Sequence, residues 1–216
     1  MPTYDLRHVE TTDFQRHDVL GQRIRQAPLR HVGIAIESRD RTIASRGALR
    51  ANATHMAPPL KTSEMSVSCM GRLDDLDDLD HRDLDTWIDR ECQSLANLAR
   101  EDQYWVHPAV MVSIDRVSGR VRNRRFSCVG FVHECYREAI GIALVDDDQL
   151  PPTDRSTLAQ IWGESVVQRG PEFGLEGEGP WPVLLPAHIL HALDRDDPRD
   201  SAYQPGPDDW DYPRPR

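Results

Sequence analysis

The chain has 216 residues, enough for one domain with a sizeable hydrophobic core. Its formal net charge of -10 argues against general nucleic-acid binding, because phosphate recognition depends on clustered Lys and Arg. The longest apolar stretch, residues 139–145, is far shorter than a membrane-spanning helix, and residues 1–5 lack the basic and apolar parts of a signal peptide. We therefore expect no transmembrane segment and a cytoplasmic location.

The cysteines are spread along the chain without a CxxC pair or the dense spacing of a secreted disulfide scaffold. We expect free thiols and no zinc knuckle, and a catalytic thiol would suit the reducing setting of the cytoplasm. The four residues are Cys69, Cys92, Cys128 and Cys135.

Two short mixed segments open the chain. Residues 13–17 predict a strand and a turn, and residues 19–25 predict a short helix. His17 has no acidic or histidine partner at helical spacing, so we interpret it as a surface residue rather than a metal ligand.

A histidine stands near the start of the first clear strand. Residues 29–37 (LRHVGIAIE) are apolar and rich in β-branched side chains, with His31 near the beginning, and residues 38–45 supply a polar turn and a returning strand. This pattern predicts a β-hairpin. Residues 47–59 then predict a loop or irregular strand, because a proline pair ends the segment. His55 is expected there as an exposed loop histidine.

The main helical region is expected over residues 72–100. Its first part, residues 73–80 (LDDLDDLD), lacks the glycine turn and terminal glutamate of a calcium loop, so we interpret it as a solvated acidic face. The second part carries an apolar stripe at helical spacing that predicts a core-facing helix. That stripe consists of Trp87, Ile88, Cys92, Leu95 and Leu98.

A second hairpin is predicted from residues 107–126, with a turn at residues 115–119. Alternation places three arginines on one face of its second strand, just before a cysteine. They are either a small basic patch for a carboxylate, phosphate or lipid head group, or a solvated strand edge that prevents aggregation. The three are Arg120, Arg122 and Arg124.

A helix is predicted to begin at Cys128, with Ser127 as its N-cap. A thiol at the positive end of a helix dipole is a stronger acid than a free thiol, and the thiolate is the nucleophile. Cys128 is therefore either an activated nucleophile or a buried cysteine that begins a core helix. His133 lies five residues further on and off the face of the cysteine, so we expect it to be an exposed helix residue.

The C-terminal third offers no cofactor motif. The glycine-rich residues 163–179 lack the Lys-Ser/Thr pair of a phosphate loop, so we assign no nucleotide. Residues 182–193 predict a last helix on which His188 and His191 share a face, but no carboxylate completes a metal site. Residues 1–193 are expected to form the domain, with residues 194–216 as an acidic, proline-rich tail on its surface.

Two of these motifs resemble one family in a particular order. Residues 128–139 (CVGFVHECYREA) are similar to the cysteine helix of NlpC-type papain-like hydrolases, and residues 31–36 (HVGIAI) are similar to their histidine strand. The histidine precedes the cysteine here, as in the circularly permuted branch that includes the YiiX/YaeF-like proteins and the lecithin-retinol acyltransferase relatives. Residues 13–16 also resemble the entry strand of that branch. The resemblance covers roughly residues 13–150.

The resemblance implies an α+β papain-like fold in which a small antiparallel sheet carrying His31 packs against the Cys128 helix. It implies a cysteine hydrolase of the peptidase or amidase type, with Cys128 as nucleophile and His31 as base, and with no cofactor or metal. The family usually has a third polar residue that orients the histidine, but Ala44 stands at the matching position. A Cys-His dyad, or a partner such as His55, would have to replace it.

The substrate remains open between several classes. A peptide or peptidoglycan fragment would fit a peptidase or amidase, whereas a lipid or acyl substrate would fit an acyltransferase or lipid hydrolase. A catalytically inactive binding module is the alternative from a different class, because Ala44 cannot orient the base.

Overall fold

A five-stranded antiparallel sheet and five α-helices form the part of the chain that the structure, a computed structural model, describes: residues 14–24, 27–38 and 49–212. The sheet contains β1 (Val19–Arg23), β2 (Leu29–Ala35), β3 (Leu49–Met56), β4 (Leu60–Val67) and β5 (Cys69–Gly71), in the spatial order β4-β3-β2-β1-β5. Two smaller ladders pair β6 (Val110–Ile114) with β7 (Val121–Phe126) and β8 (Pro152–Thr153) with β9 (Trp181–Pro182). The helices are α1 (Asp78–Leu95), α2 (Cys128–Ile140), α3 (Arg155–Trp162), α4 (Glu164–Gln168) and α5 (Pro186–Leu193).

The first sheet strand corrects a prediction. Residues 19–25 were expected to be helical, but β1 pairs with β2 on one side and with β5 on the other. Gly21 explains this, because a Cβ there would lie 2.7 Å from the Cys69 sulfur and glycine is also a poor helix former. Close packing between strands therefore decides the structure of this segment.

The strand that carries His31 lies between two other strands of the sheet. The returning strand expected within residues 38–45, including Ala44, lies almost wholly outside the described residues. Among the described residues, β2 pairs with β1 on one side and with β3 on the other, the latter through the pairs Ile34 with Thr54 and Ala35 with Ala53. The segment that carries His55 was expected to be a loop or an irregular strand, and it is a regular sheet strand.

The two faces of the sheet have separate apolar clusters, as the period-two alternation of strands requires. Val32 and Ile34 belong to the large core, which they share with side chains of α1, α2 and α5. Leu20, Ala35 and Met65 belong to a smaller cluster on the opposite face. The sheet is thus covered by helices on one face and packs on its own side chains on the other.

The cysteine helix begins as predicted. Ser127 is the N-cap of α2 and accepts a hydrogen bond from the Gly130 N–H at 3.0 Å, and Gly141 ends the helix with a φ of 73°. Gly130 packs directly on the neighbouring segment, because a Cβ there would lie 2.0 Å from the Ala109 carbonyl oxygen. These contacts fix where the first turn of α2, and therefore Cys128, lies.

The predictions for the remaining elements are largely confirmed. The helix α1 begins at a capping box formed by Asp77 and Asp80 and buries Trp87 and Ile88. The hairpin of β6 and β7 forms as expected. The tail was expected on the surface, but part of it is buried, since Tyr212 is only 3% exposed and belongs to the core. Among the described residues, none of the helices combines the length and apolar character that a membrane span requires.

Candidate functional site

A cavity of about 1100 Å³ opens beside the N-terminus of α2. Its wall includes both residues predicted from the sequence to form the site, Cys128 and His31. It also includes His55 and Ser63, which come from β3 and β4. Side chains that lie far apart in the sequence therefore line one cavity.

The Cys128 thiol is 1% exposed and lies at the helix start. Burial raises its pKa to about 11, and backbone hydrogen bonds from Val32, Val129 and Cys128 itself act in the opposite direction. Of the two alternatives that the sequence left open for Cys128, the structure has the buried cysteine at the start of a core helix, and its thiol is not an unusually strong acid. The helix terminus and the backbone donors favour the thiolate, but the loss of solvation outweighs them.

His31 lies on β2 and is half-buried in the cavity wall. Its Nε2 atom is 2.8 Å from the Nδ1 atom of His55. Desolvation, then the charges of His55 and Arg30, lower the pKa of His31 to about 3. His31 is consequently a neutral imidazole near neutral pH, with Nε2 engaged and Nδ1 left for other chemistry.

His55 is the site residue whose position the sequence prediction missed. It is 6% exposed on β3, and its Nε2 atom is 2.8 Å from the Ser63 hydroxyl oxygen. Burial, with a smaller contribution from Lys61, lowers the pKa of His55 to about 4. The histidine expected in an exposed loop is in fact buried, neutral and in hydrogen-bond contact with the predicted base.

Space for His55 comes from a glycine on the neighbouring strand. A Cβ on Gly33 would lie 2.8 Å from the His55 Cβ. Since an isolated glycine in a strand often marks a close approach, Gly33 in HVGIAI was a sequence signal for a bulky neighbour. The pattern did not say which side chain that neighbour is.

Tyr104 is a second residue that the sequence did not suggest. It lines the cavity, and its ring packs edge-on against Phe173 with centroids 5.6 Å apart. Burial raises the pKa of its phenol well above the ordinary value, with a further contribution from the nearby Cys128. The phenol is therefore neutral and provides a hydrogen-bonding group beside the thiol.

Among the described residues, no direct hydrogen bond joins the Cys128 thiol to the His31 ring. The backbone of Val32, the residue after His31, instead contacts the sulfur. In sites without substrate such catalytic contacts are often long. The two groups share a cavity wall as a neutral thiol and a neutral imidazole.

Two other histidines are not exposed as expected. His17 is 2% exposed and has a φ of 70°, and its ring nitrogens lie 2.7 Å from His81 Nδ1 and 2.9 Å from Asp85 Oδ1. His133 is 1% exposed because its face of α2 is also covered. Both predictions of surface positions are wrong, since spacing along one element does not show what packs over it.

The candidate metal and anion groups of the sequence have structural partners. His188 Nδ1 accepts from the Leu185 N–H at 3.2 Å, and His191 Nε2 is 3.1 Å from the Asp211 carbonyl oxygen. Arg124 pairs with Glu91 at 3.2 Å and with Glu138 at 3.3 Å. Arg124 therefore joins β7 to α1 and α2.

Comparisons with protein-family models, curated proteins and solved structures found no match to this chain. The functional interpretation accordingly depends on the geometry of the site and on the motifs of the sequence.

Proposed function

We propose that this protein is a cysteine hydrolase of the peptidase or amidase type, with Cys128 as nucleophile and His31 as base. The observation that carries the proposal is the 2.8 Å contact between His31 and His55 in the cavity wall that also contains Cys128. It supplies the polar partner that position 44 lacks. A nucleophile, a base and a group that orients the base are the usual parts of such a site.

The contacts of His55 favour one tautomer of the base. If His55 donates its Nε2 proton to Ser63, its Nδ1 atom is an acceptor for the Nε2–H of His31. The remaining nitrogen of His31, Nδ1, then carries a lone pair and can take the proton of the thiol. Ser63, His55 and His31 thus form a chain that we call the histidine relay.

The proposed reaction proceeds through an acyl-enzyme. As the Cys128 sulfur attacks an amide or ester carbonyl, His31 Nδ1 takes the thiol proton and then gives it to the leaving group. Backbone N–H groups at the start of α2, including that of Cys128, stabilise the oxyanion. Water then attacks the thioester with His31 as base, which releases the acid and restores the thiol.

The fold supports a permuted papain-like assignment within this proposal. His31 and His55 lie on strands that precede α2 in the chain, and α2 packs on the sheet with Cys128 at its first turn.

The cavity wall also gives grounds for the second candidate, an acyltransferase or lipid hydrolase of the same fold. Its apolar part includes Met56, Trp162, Val166 and Phe173, which would suit an acyl chain. An inactive binding module is less well supported, because its motivation was the lack of a residue that could orient His31.

The test is the alkylation of each cysteine by iodoacetamide as a function of pH, read by peptide mass spectrometry. We expect Cys128 to react at pH 7.5 at least about tenfold faster than in His31→Ala or His55→Ala, because proton transfer to a positioned base contributes about this much or more. Half-buried Cys92 is the internal reference, since burial raises the pKa of its thiol to about 11 as well.

Ser66→Ala is the matched control, because Ser66 lines the cavity but lies outside the histidine relay. Thermal unfolding of every variant separates a lost base from a lost fold. The catalytic proposal would be wrong if Cys128 were alkylated at the rate of Cys92 in the wild type and at an unchanged rate in His31→Ala.

A further inference from the structure

The cavity wall carries more positive than negative side chains, whereas the protein as a whole has a negative net charge. Five cationic side chains line it against three carboxylates, although the net charge of the chain is -10. Arg50 pairs with Glu64 at 2.8 Å, and Arg169 pairs with Glu172 at 2.5 Å. These pairs neutralise two of the five cations. The other three cations of the wall are Arg30, Lys61 and Arg100.

Arg30 is a cation of the cavity wall whose charge acts on the proposed site. It precedes His31 on β2, is half-buried and lines the cavity. Its charge acts on Cys128, His31 and Tyr104, three groups of the proposed site. Across the described part of the chain, the Arg30 guanidinium has no hydrogen-bond or ion-pair partner.

Structural arginines of this protein look different. Arg124 is held by Glu91 and Glu138, and Arg72 holds the buried Asp18 through two hydrogen bonds of 2.7 and 2.8 Å. Removing a charge partly from water is costly unless it is paired. A half-buried guanidinium that lines the cavity and is not itself paired with a carboxylate is therefore suited to a ligand rather than to the fold.

We propose that Arg30 binds an anionic oxygen group, a carboxylate or a phosphate, that the substrate carries near the carbonyl attacked by Cys128. A guanidinium presents paired N–H donors that match both groups. The inference rests on the proposed function and specifies the substrate class of that site. Arg30 selects a negatively charged substrate, and the apolar wall accommodates the remainder.

A pair of alkylating reagents tests this without a known substrate. Iodoacetate and iodoacetamide attack the same sulfur and differ in the negative charge of the carboxylate. We expect the iodoacetate-to-iodoacetamide rate ratio at Cys128 to fall about tenfold in Arg30→Gln and to recover in part in Arg30→Lys, because the first variant loses the charge-assisted hydrogen bond to the carboxylate and the second keeps the charge. Arg82→Gln removes the same charge from an exposed position on α1, so the rate ratio of this control should equal that of the wild type.

The two possible failures are distinguishable. If Cys128 reacts and depends on His31 but its ratio is the same in Arg30→Gln, the role of Arg30 is wrong and the hydrolase proposal stands. If Cys128 reacts with neither reagent above the rate of Cys92, the proposed function fails, and the role of Arg30 fails with it.

Protection experiments identify the anion. Butyrate, propylphosphonate and butyramide are compared for slowing the alkylation of Cys128 by iodoacetamide. Protection by butyrate assigns a carboxylate, and stronger protection by propylphosphonate assigns a phosphate; either effect should be lost in Arg30→Gln. Equal protection by butyramide would overturn the proposal, because that compound carries no charge.

Discussion

Gly33 shows how one residue positions the proposed site. It lies opposite His55 in the register of β2 and β3, and the two backbones approach so closely that a Cβ would touch the histidine. Any larger side chain must push His55 away from His31. The absence of a side chain at position 33 is thus a condition for the 2.8 Å contact between the two rings.

We expect Gly33→Ala to reduce the alkylation rate of Cys128 at pH 7.5 about as much as His55→Ala does. The reason is that the added methyl group displaces His55 and leaves the His31 tautomer unset. The destabilisation should be on the order of 1–3 kcal/mol, as for other overpacked sites. A variant that folds, contains the methyl group and keeps the wild-type rate would show that the histidine relay is not needed.

The sequence pointed to Cys128 and His31 of the proposed site, but it offered His55 only as a possible partner and expected it in an exposed loop. Ser127, Cys128 and the following apolar face are local patterns, and so is His31 at the start of a β-branched run. His55 depends on which strand returns beside β2, and that pairing is decided by contacts between distant residues. The low acidity of Cys128 was missed for the same reason, because burial is a property of the folded chain.

At the scale of elements, the first turn of α2 fixes the nucleophile through two neighbouring contacts. The Ser127 hydroxyl accepts from Gly130, and Gly130 packs on the Ala109 carbonyl. The cap is local chemistry that the sequence predicts, whereas the approach to Ala109 is tertiary and was not predicted. The same division separates the correctly predicted hairpin of β6 and β7 from β1, where pairing overrode the expected helix.

We expect Ser127→Ala to lower the free energy of unfolding by about 1 kcal/mol, the usual cost of losing an N-cap. Gly130→Ala should cost at least about 2 kcal/mol, because its Cβ would collide with backbone rather than with a movable side chain. Urea unfolding at pH 7.5 measures both values.

Gly141→Ala is the matched control at the other end of α2. Its φ of 73° strains an alanine, but a Cβ there meets no atom within 4 Å. A larger loss of stability in Gly141→Ala than in Gly130→Ala would contradict the tight packing at the helix start.

At the scale of the whole molecule, burial keeps several histidines neutral. It lowers the pKa of His133 and of His55 to about 4, and that of His188 and of His31 to about 3. Each has a folded pKa below its unfolded value near 6.5, so the unfolded chain binds the proton more readily. The corresponding stability is present above pH 6.5 and is lost as the pH falls towards 4.

Between pH 7 and pH 4, we expect the free energy of unfolding to fall by about 2–3 kcal/mol less in His133→Phe than in the wild type. The reason is that a shift of one pKa unit corresponds to about 1.4 kcal/mol. Asp147 raises and Arg137 lowers the pKa of His133, but burial is the largest cause. Urea unfolding of both proteins at several pH values measures the difference. Parallel pH profiles for the two would show that His133 is not protonated on unfolding.

The strand that carries the proposed base is held by a residue far along the chain. The Leu29 N–H, two residues before His31, donates to the Asp211 carboxylate at 3.0 Å, and Arg23 on β1 binds the same oxygen at 2.7 Å. These contacts join residues 182 and 188 positions apart in the sequence. During translation, Cys128 is therefore synthesised well before the last anchor of the His31 strand exists. The nascent chain therefore contains the Cys128 thiol before the residues that surround His31 have all been synthesised.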